Sequence, residues 1–156
     1  MVIRLPFAMR FAQAGLLVLV IGLAVIAQGA TAEETREKGQ PLRSCPNSPN
    51  CVSTIDPAES HAIAPFRYRK SMAETKASLI QTFSSFPRTE LVEEKGGYLH
   101  FEVESFFFGF VDDVEFWFDA DTKTIHFRSA SRSGYYDFGV NRKRMEDLRL
   151  MLADNL

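Results

Sequence analysis

The chain has 156 residues, of which 46% are hydrophobic and 24% charged, and its formal net charge at pH 7 is −2. This composition is typical of a single globular domain, and 14 phenylalanines are too many for a chain that stays disordered. A mildly acidic protein lacks the net basic surface that binding to nucleic acid requires, so we expect no nucleic-acid partner.

The N-terminal segment has the three parts of a secretory signal. Arg4 and Arg10 supply positive charge, residues 15–27 form an apolar centre, and residues 30–32 (Ala-Thr-Ala) offer a small-x-small cleavage site. The alternative is an uncleaved anchor, because the apolar run 11–27 is close to the shortest length that spans a bilayer. Both interpretations place the remaining chain in the periplasm, either free or anchored at the inner membrane.

Three regions are therefore expected: a signal peptide or anchor in residues 1–32, a flexible tether in residues 33–44, and one globular α+β domain in residues 45–156. Loss of the first 32 residues leaves 16 basic and 20 acidic side chains, a net charge of −4. We expect contact with a membrane only through the N-terminal segment.

Cys45 and Cys51 are the only two cysteines, and two prolines and two asparagines lie between them. Export to an oxidising compartment and a turn-forming sequence favour a disulfide. The competing interpretation is a redox or metal pair, although the spacing is not C-x-x-C. His61, His100 and His126 are isolated in the sequence, so we expect no metal ligand among them and no cofactor.

The first helix is predicted to begin after Ser71, because Ser71 and Glu74 form a capping box. An apolar stripe at helical spacing follows, and Pro87 ends the helix. A second helix is predicted over residues 141–153, where Met145 and Leu148 share an apolar face.

Between the two helices the pattern alternates between apolar and polar residues, which is typical of strands. Strands are predicted over residues 89–94, 99–106, 111–119 and 124–131. Short connections between them favour an antiparallel meander. The expected fold is an α+β domain whose four-stranded sheet is packed by an N-terminal and a C-terminal helix; a short strand at residues 66–69 would make it five-stranded.

Residues 128–144, between the last strand and the last helix, are rich in arginine and serine. An anion at this helix start would find free N–H groups and nearby guanidinium groups. The candidate binding residues are Arg128, Ser129, Ser131, Arg132, Asp137, Asn141 and Arg142.

A structural interpretation of the same segment competes with the binding one. Arg128 and Arg132 lie on one strand face, where they can form a charged ladder with acidic residues of the neighbouring strands. Those residues are Glu102, Glu104, Asp113 and Glu115. In this interpretation Asn141 caps the last helix and Asp137 anchors the loop.

Catalysis is the weaker hypothesis for this segment. Ser129 and Ser131 share the parity of core residues and lack a G-x-S-x-G elbow, while His126 lies on the opposite face of its strand. A hydrolase that uses Ser131 or Asp113, with Arg132 as an anion clamp, is kept as the alternative.

Four motifs carry a resemblance to a known family: Cys-Pro-Asn-Ser-Pro-Asn-Cys-Val-Ser (45–53), His-Ala-Ile-Ala-Pro-Phe (61–66), Phe-Val-Asp-Asp-Val-Glu-Phe (110–116) and residues 128–144. Over residues 45–152 the chain resembles the bacterial and chloroplast family called domain of unknown function 1499. The resemblance implies a small exported or membrane-attached protein and a single domain. It implies no biochemical activity.

The expected function is that of a non-enzymatic cell-envelope module. Its partner would be a small anionic ligand, a lipid headgroup or an envelope protein, bound through the loop before the last helix. An apolar ligand between helix and sheet, with Phe101, Phe116 and Phe127 as walls, is a further option by analogy with other folds. The alternative is an envelope hydrolase acting on an anionic substrate.

Overall fold

The computed structural model describes residues 41–106, 109–154 and 156. The signal or anchor, its cleavage site and residues 33–40 of the tether lie outside these described residues, so their predictions stay predictions. The described residues belong to one compact unit. Among them, none of the helices combines the length and the apolar character that crossing a bilayer requires.

A six-stranded sheet forms the centre of the fold, with two helices on one of its faces. Its strands are β1 Cys51–Ser53, β2 Phe66–Arg67, β3 Thr89–Lys95, β4 Tyr98–Glu104, β5 Val111–Asp119 and β6 Thr124–Ser131; the helices are α1 Met72–Phe83 and α2 Val140–Leu152. The strand order is β1-β6-β5-β4-β3, and β2 pairs with β6 beside β1. All five strand pairings are antiparallel.

The predicted α+β class and the meander β3–β6 are confirmed. Lys95 pairs with Tyr98 across a two-residue turn, Gly96-Gly97. Gly96 has φ +58°, and a Cβ on Gly97 would lie 3.1 Å from the carbonyl oxygen of Phe118. Both positions therefore favour glycine, which explains why the Gly-Gly pair marks this hairpin.

Two details of the predicted architecture were wrong. The sheet has six strands because β1, at Cys51–Ser53, pairs with the last strand, and three residues are too few to show an alternating pattern. The helix predicted at the N-terminal side of the domain is α1, which lies between β2 and β3 in the chain. The segment 66–69 contributes only Phe66–Arg67 to the sheet.

Helix α1 begins as its sequence predicts. The Ser71 hydroxyl accepts a hydrogen bond from the Glu74 N–H, and the Glu74 carboxylate accepts one from the Ser71 N–H, each at 3.2 Å. The buried residues Thr75, Leu79 and Phe83 follow at intervals of four, so one face of the helix meets the sheet. The helix ends at Phe83, before the predicted stop at Pro87.

Phenylalanine rings fill the space between the helices and the sheet. Phe83 of α1 lies 4.9 Å from Phe101 and 5.4 Å from Phe116, measured between ring centroids. Phe66 and Phe127 lie 4.7 Å apart, and all five rings are at most 1% exposed. The walls suggested for an apolar ligand are therefore in contact with each other, and that option is not supported.

Replacing Phe83 by alanine tests this core. Phe83→Ala removes a ring that contacts two strands, so we expect the free energy of unfolding to fall by about 3–5 kcal/mol in urea denaturation. Phe138→Ala is the matched control, because Phe138 is 86% exposed and its loss should change stability by about 0.5 kcal/mol or less. Equal effects of the two substitutions would contradict the packing described here.

Candidate functional site

The segment 128–144 is divided between the two faces of the sheet. Ser129 and Ser131 lie on the inner face, towards α2, whereas Arg128 lies on the outer face. Arg132 follows the strand and contacts the outer-face residues Asp113 and Glu102. Six of the seven candidate residues therefore form two clusters, one on each face of the sheet, and Arg142 lies apart from both.

Asn141 is at the centre of the inner cluster and is fully buried. Its Oδ1 accepts hydrogen bonds from Ser129 Oγ at 2.5 Å and from Arg144 Nη1 at 2.8 Å. Its Nδ2 lies within 3.2 Å of three acceptors, the Asn50 carbonyl oxygen, Ser131 Oγ and Asp137 Oδ2. We call this set the Asn141 network; it joins α2 to β6 and to the chain just before β1.

Arg144 extends the Asn141 network to a third strand. Its Nη2 lies 2.5 Å from Asp112 Oδ2, and the two side chains are 9% and 7% exposed. Its Nη1 also donates to Ser129 Oγ at 3.1 Å. Arg144 was not among the candidate residues, although its position three residues after Asn141 places both on one helix face.

Asp137, and not Asn141, caps α2, so the predicted capping role of Asn141 was wrong. Asp137 accepts hydrogen bonds from the Gly139 and Asn141 N–H groups, each at 2.9 Å. Gly139 is the N-cap residue with φ +77°, and having no side chain it cannot cap the helix itself. The prediction that Asp137 anchors the loop is confirmed.

Arg142 also forms hydrogen bonds within the domain. Its guanidinium donates to the carbonyl oxygens of Ala62 at 2.9 Å and Ser60 at 3.1 Å. It therefore fastens the segment before β2 to α2.

The outer cluster is the charged ladder that the sequence predicts. Arg128 Nη1 lies 3.1 Å from Glu115 Oε2, and Tyr98 donates to the same carboxylate at 2.7 Å. Arg132 binds Asp113 through Nε at 3.0 Å and Nη2 at 2.8 Å. Its Nη2 also binds Glu102.

The fourth acid predicted for the ladder, Glu104, does not join it. Glu104 is exposed at the end of β4. Arg132 binds Glu102 instead, two residues earlier on the same face of the strand. The predicted ladder is thus confirmed for three of its four acids.

The ladder sets the protonation of its central carboxylate. Burial alone would raise the pKa of Asp113, but hydrogen bonds from His100 and Arg132 outweigh burial and hold the pKa far below its ordinary value of 3.8. His100 Nε2 lies 2.7 Å from Asp113 Oδ1. The hydrogen bonds to Asp113 and Glu102 in turn raise the pKa of Arg132.

A cavity of about 480 Å³ opens beside the ladder. Its lining includes three arginines, one carboxylate and the start of the cysteine loop: Arg43, Arg128, Arg132, Asp113, Cys45 and Pro46. Arg128 Nε is buried without a hydrogen-bond partner, and within the described ranges Arg43 has no ion pair. The protein therefore leaves one buried guanidinium N–H, that of Arg128 Nε, without an acceptor, in a side chain that lines the cavity.

The cysteine loop forms one wall of this cavity. Cys45 and Cys51 are joined by a disulfide, as predicted. The Cys45 N–H donates to Asp56 Oδ2 at 3.0 Å, Asp56 Oδ1 lies 3.4 Å from His61 Nδ1, and His61 Nε2 lies 3.2 Å from the Ser48 carbonyl oxygen. Asp56 and His61 thus hold the loop against the domain.

Cys45, Asp56 and His61 also approach one another closely enough to suggest a metal site. The sulfur of Cys45, an oxygen of Asp56 and a ring nitrogen of His61 lie within 4.8 Å of one another. Because the Cys45 sulfur is bonded to Cys51, it is not a thiolate ligand in this form. Sequence spacing did not reveal this cluster, since Asp56 and His61 meet Cys45 only through the folding of the loop.

The residues suggested for a hydrolase, Ser131, Asp113 and Arg132, line one cavity, but among the described residues Ser131 is not hydrogen-bonded to a base. In the described part of the chain, Ser131 Oγ has one hydrogen-bond partner, the Asn141 side-chain amide. His126 lies on the outer face, 3.3 Å from Thr54 Oγ1 and stacked on Trp117. Burial lowers the pKa of His126, which favours its neutral form.

The class of protein defined by these features is a small disulfide-containing α+β domain. Its last helix is joined to the sheet by buried polar groups. The sequence model of the family described as "Protein of unknown function (DUF1499)" matches residues 41–152, and the chain belongs to this family. No curated protein and no solved structure matches the chain.

Asn141→Ala tests the Asn141 network. The substitution removes one buried hydrogen-bond partner each from Ser129, Arg144 and the Asn50 carbonyl oxygen, so we expect the free energy of unfolding to fall by about 2–4 kcal/mol. Lys143→Ala serves as control, because Lys143 forms an exposed pair with Asp147 that contributes less than about 1 kcal/mol. Urea denaturation followed by circular dichroism measures both, and a neutral Asn141→Ala would contradict the network.

Asp113→Asn tests the ladder through pH. A carboxyl whose pKa is lowered by folding stabilises the protein above its ordinary pKa and loses that contribution as the pH falls. We expect the substitution to cost about 1–3 kcal/mol at neutral pH, and the difference from wild type to shrink as the pH falls below 3.8. The exposed Asp121→Asn is the control, and urea denaturation at a series of pH values is the measurement; a difference independent of pH would contradict this assignment.

Proposed function

We propose that this protein is an exported, non-enzymatic binding module of the cell envelope, and that it takes a small carboxylate- or phosphate-bearing ligand in the cavity beside the ladder. The observation that carries the proposal is the buried, unpartnered Nε of Arg128 in a side chain that lines this cavity. A buried donor without a partner costs free energy, and an anionic oxygen is the acceptor that best satisfies a guanidinium.

The distribution of charge in the cavity supports an anion. Its lining holds three guanidinium groups, from Arg43, Arg128 and Arg132, against the single carboxylate of Asp113. Arg128 and Arg132 already bind acids of the ladder, which fixes their orientation. Arg43 is exposed and can turn towards a ligand, so the ladder supplies a rigid wall and Arg43 the adaptable contact.

The volume of the cavity also fits a small ligand. About 480 Å³ lies within the range of sites that bind small molecules. The disulfide-bonded loop closes one side through Cys45 and Pro46. An oxidised, exported domain would therefore present this wall in a fixed position.

Binding is favoured over hydrolysis by the state of the candidate catalytic groups. The pKa of Asp113 is far below its ordinary value, so this carboxyl is ionised at neutral pH and cannot act as a general acid there. Ser131 donates no proton to a described histidine or carboxylate, since its contact is with Asn141. No observation on the described residues favours the hydrolase as a second candidate.

Arg43→Ala tests the proposed function with inorganic phosphate and succinate as probes. At constant ionic strength, a tenfold excess of probe over its Kd should raise the wild-type melting temperature by about 5 °C. Arg43→Ala should reduce this rise strongly while leaving the melting temperature without probe unchanged, because Arg43 has no partner among the described residues.

Arg69→Ala is the matched control, since Arg69 is also an exposed arginine but does not line the cavity. It should retain the full response to the probe. No response in the wild type, or an equal loss in both variants, would contradict the proposal. A response to phosphate alone would assign the site to phosphate-bearing rather than carboxylate-bearing ligands.

A further inference from the structure

Exposed apolar side chains are concentrated at one end of the sheet. Nine large hydrophobic residues are exposed in the described part of the chain, and six of them lie in or beside two connections, β4–β5 and β6–α2. These six are Phe106, Phe110, Tyr135, Tyr136, Phe138 and Val140. We call them the aromatic end.

The two connections are neighbours in space. The Arg132 N–H, at the start of the β6–α2 loop, donates to the Val111 carbonyl oxygen at 2.9 Å. Phe106 and Val140, one from each side, line a common cavity of about 400 Å³ together with Phe86 and Val103. The two connections that carry the aromatic end therefore adjoin each other.

The exposure of these side chains is too large to be explained by packing within the domain. Phe138 is 86% exposed, and Phe106 and Tyr135 are each 73% exposed. Grouped apolar exposure of this kind marks a surface that meets another apolar phase or partner. The Tyr136 and Phe138 rings contact each other edge-to-face at 5.0 Å, so the loop presents an ordered pair of rings.

The charges around the aromatic end are balanced. The cavity shared by the two connections is lined by three basic residues, Arg88, Lys143 and Arg144, and by two acidic ones, Glu104 and Asp147. Arg144 is already paired with Asp112. The lining of this cavity therefore carries no excess charge that would attract a strongly charged partner. Tyrosine and phenylalanine beside mixed polar groups are the composition that favours the interface between lipid and water.

The course of the chain points to the same partner. Residues 43–46 line a cavity together with Ser131 and Arg132, so the described chain begins beside the end of β6 that leads into the aromatic loop. The apolar run 15–27 ends only 16 residues before Arg43. In the export proposed above, the segment that would enter the membrane is therefore joined to the domain at the end that carries the aromatic side chains.

We infer that the aromatic end rests on the surface of a lipid bilayer, with the rings of Tyr135, Tyr136 and Phe138 at the level of the headgroups. This contact is additional to the one expected through the N-terminal segment. It can be tested separately from the anion cavity, since Tyr135, Tyr136 and Phe138 do not line that cavity. Membrane contact through rings rather than through charge should depend little on the content of anionic lipid.

Tryptophan substitution in the full chain tests the inference. Phe138→Trp places an indole at the aromatic end. Leu150→Trp places one at a site that is 76% exposed but lies ten residues beyond Val140, the first residue of α2, which is about 15 Å along the helix. Each variant is reconstituted in phosphatidylcholine vesicles with and without brominated acyl chains. The quenching of native Trp117 in the wild type is subtracted.

We expect bromolipid to quench the emission of the indole introduced at position 138 and to leave that at position 150 at the level of the wild type. Adding phosphatidylglycerol should change this difference little. If Phe138→Trp does not fold, Tyr135→Trp gives the same readout.

Equal quenching at positions 138 and 150 would overturn the inference. So would sedimentation of the wild type as a dimer that Phe138→Ser converts to a monomer, because the surface would then belong to a contact between two copies of the chain. Either result leaves the phosphate response of the cavity unchanged, so failure here is distinguishable from failure of the proposed function.

Discussion

The buried amide of Asn141 is the interaction on which the position of α2 depends. Apolar packing alone allows a helix to slide or rotate on a sheet, because hydrophobic contact has no direction. The side chain of Asn141 removes that freedom, since its oxygen must meet donors and its nitrogen must meet acceptors in fixed places. Ser129 and the Asn50 carbonyl oxygen supply those places on β6 and beside β1.

The ion pair between Arg144 and Asp112 has the same character. Bringing two charges into the interior costs about as much as their attraction returns, so the pair adds little net stability. Losing one partner is costly, however, because the other charge remains buried alone. The Asn141 network therefore adds little net stability. Its hydrogen bonds form in only one arrangement of α2 on the sheet, so the network selects that arrangement. That arrangement also fixes the chain just before β1, at Asn50. The cysteine loop, which forms one wall of the cavity beside the ladder, is thereby held in place.

The sequence predicted those parts of the fold that depend on neighbouring residues. The capping box at Ser71 and the alternation of β5 are local signals, and each appears in the structure as expected. The pairing of the ladder could also be predicted, because strand order and parity place Arg128 opposite Glu115. The inner cluster could not be, since Asn50, Asp112 and Asn141 are distant in the chain and only tertiary packing brings them together. Asn141 was misassigned for this reason: its sequence position suggested a cap, whereas its burial makes it a partner of the sheet.

The pairing of β1 with β6 has a consequence for the order of folding. Cys51 belongs to the first strand to leave the ribosome, and it pairs with Ala130 of the last strand; α2, which completes the Asn141 network, comes later still. The sheet edge and the helix above it can therefore close only when nearly the whole domain is available. Long-range pairing of this kind makes folding slow. If the chain is exported as proposed above, this delay is an advantage, because the helix that completes the Asn141 network is synthesised last.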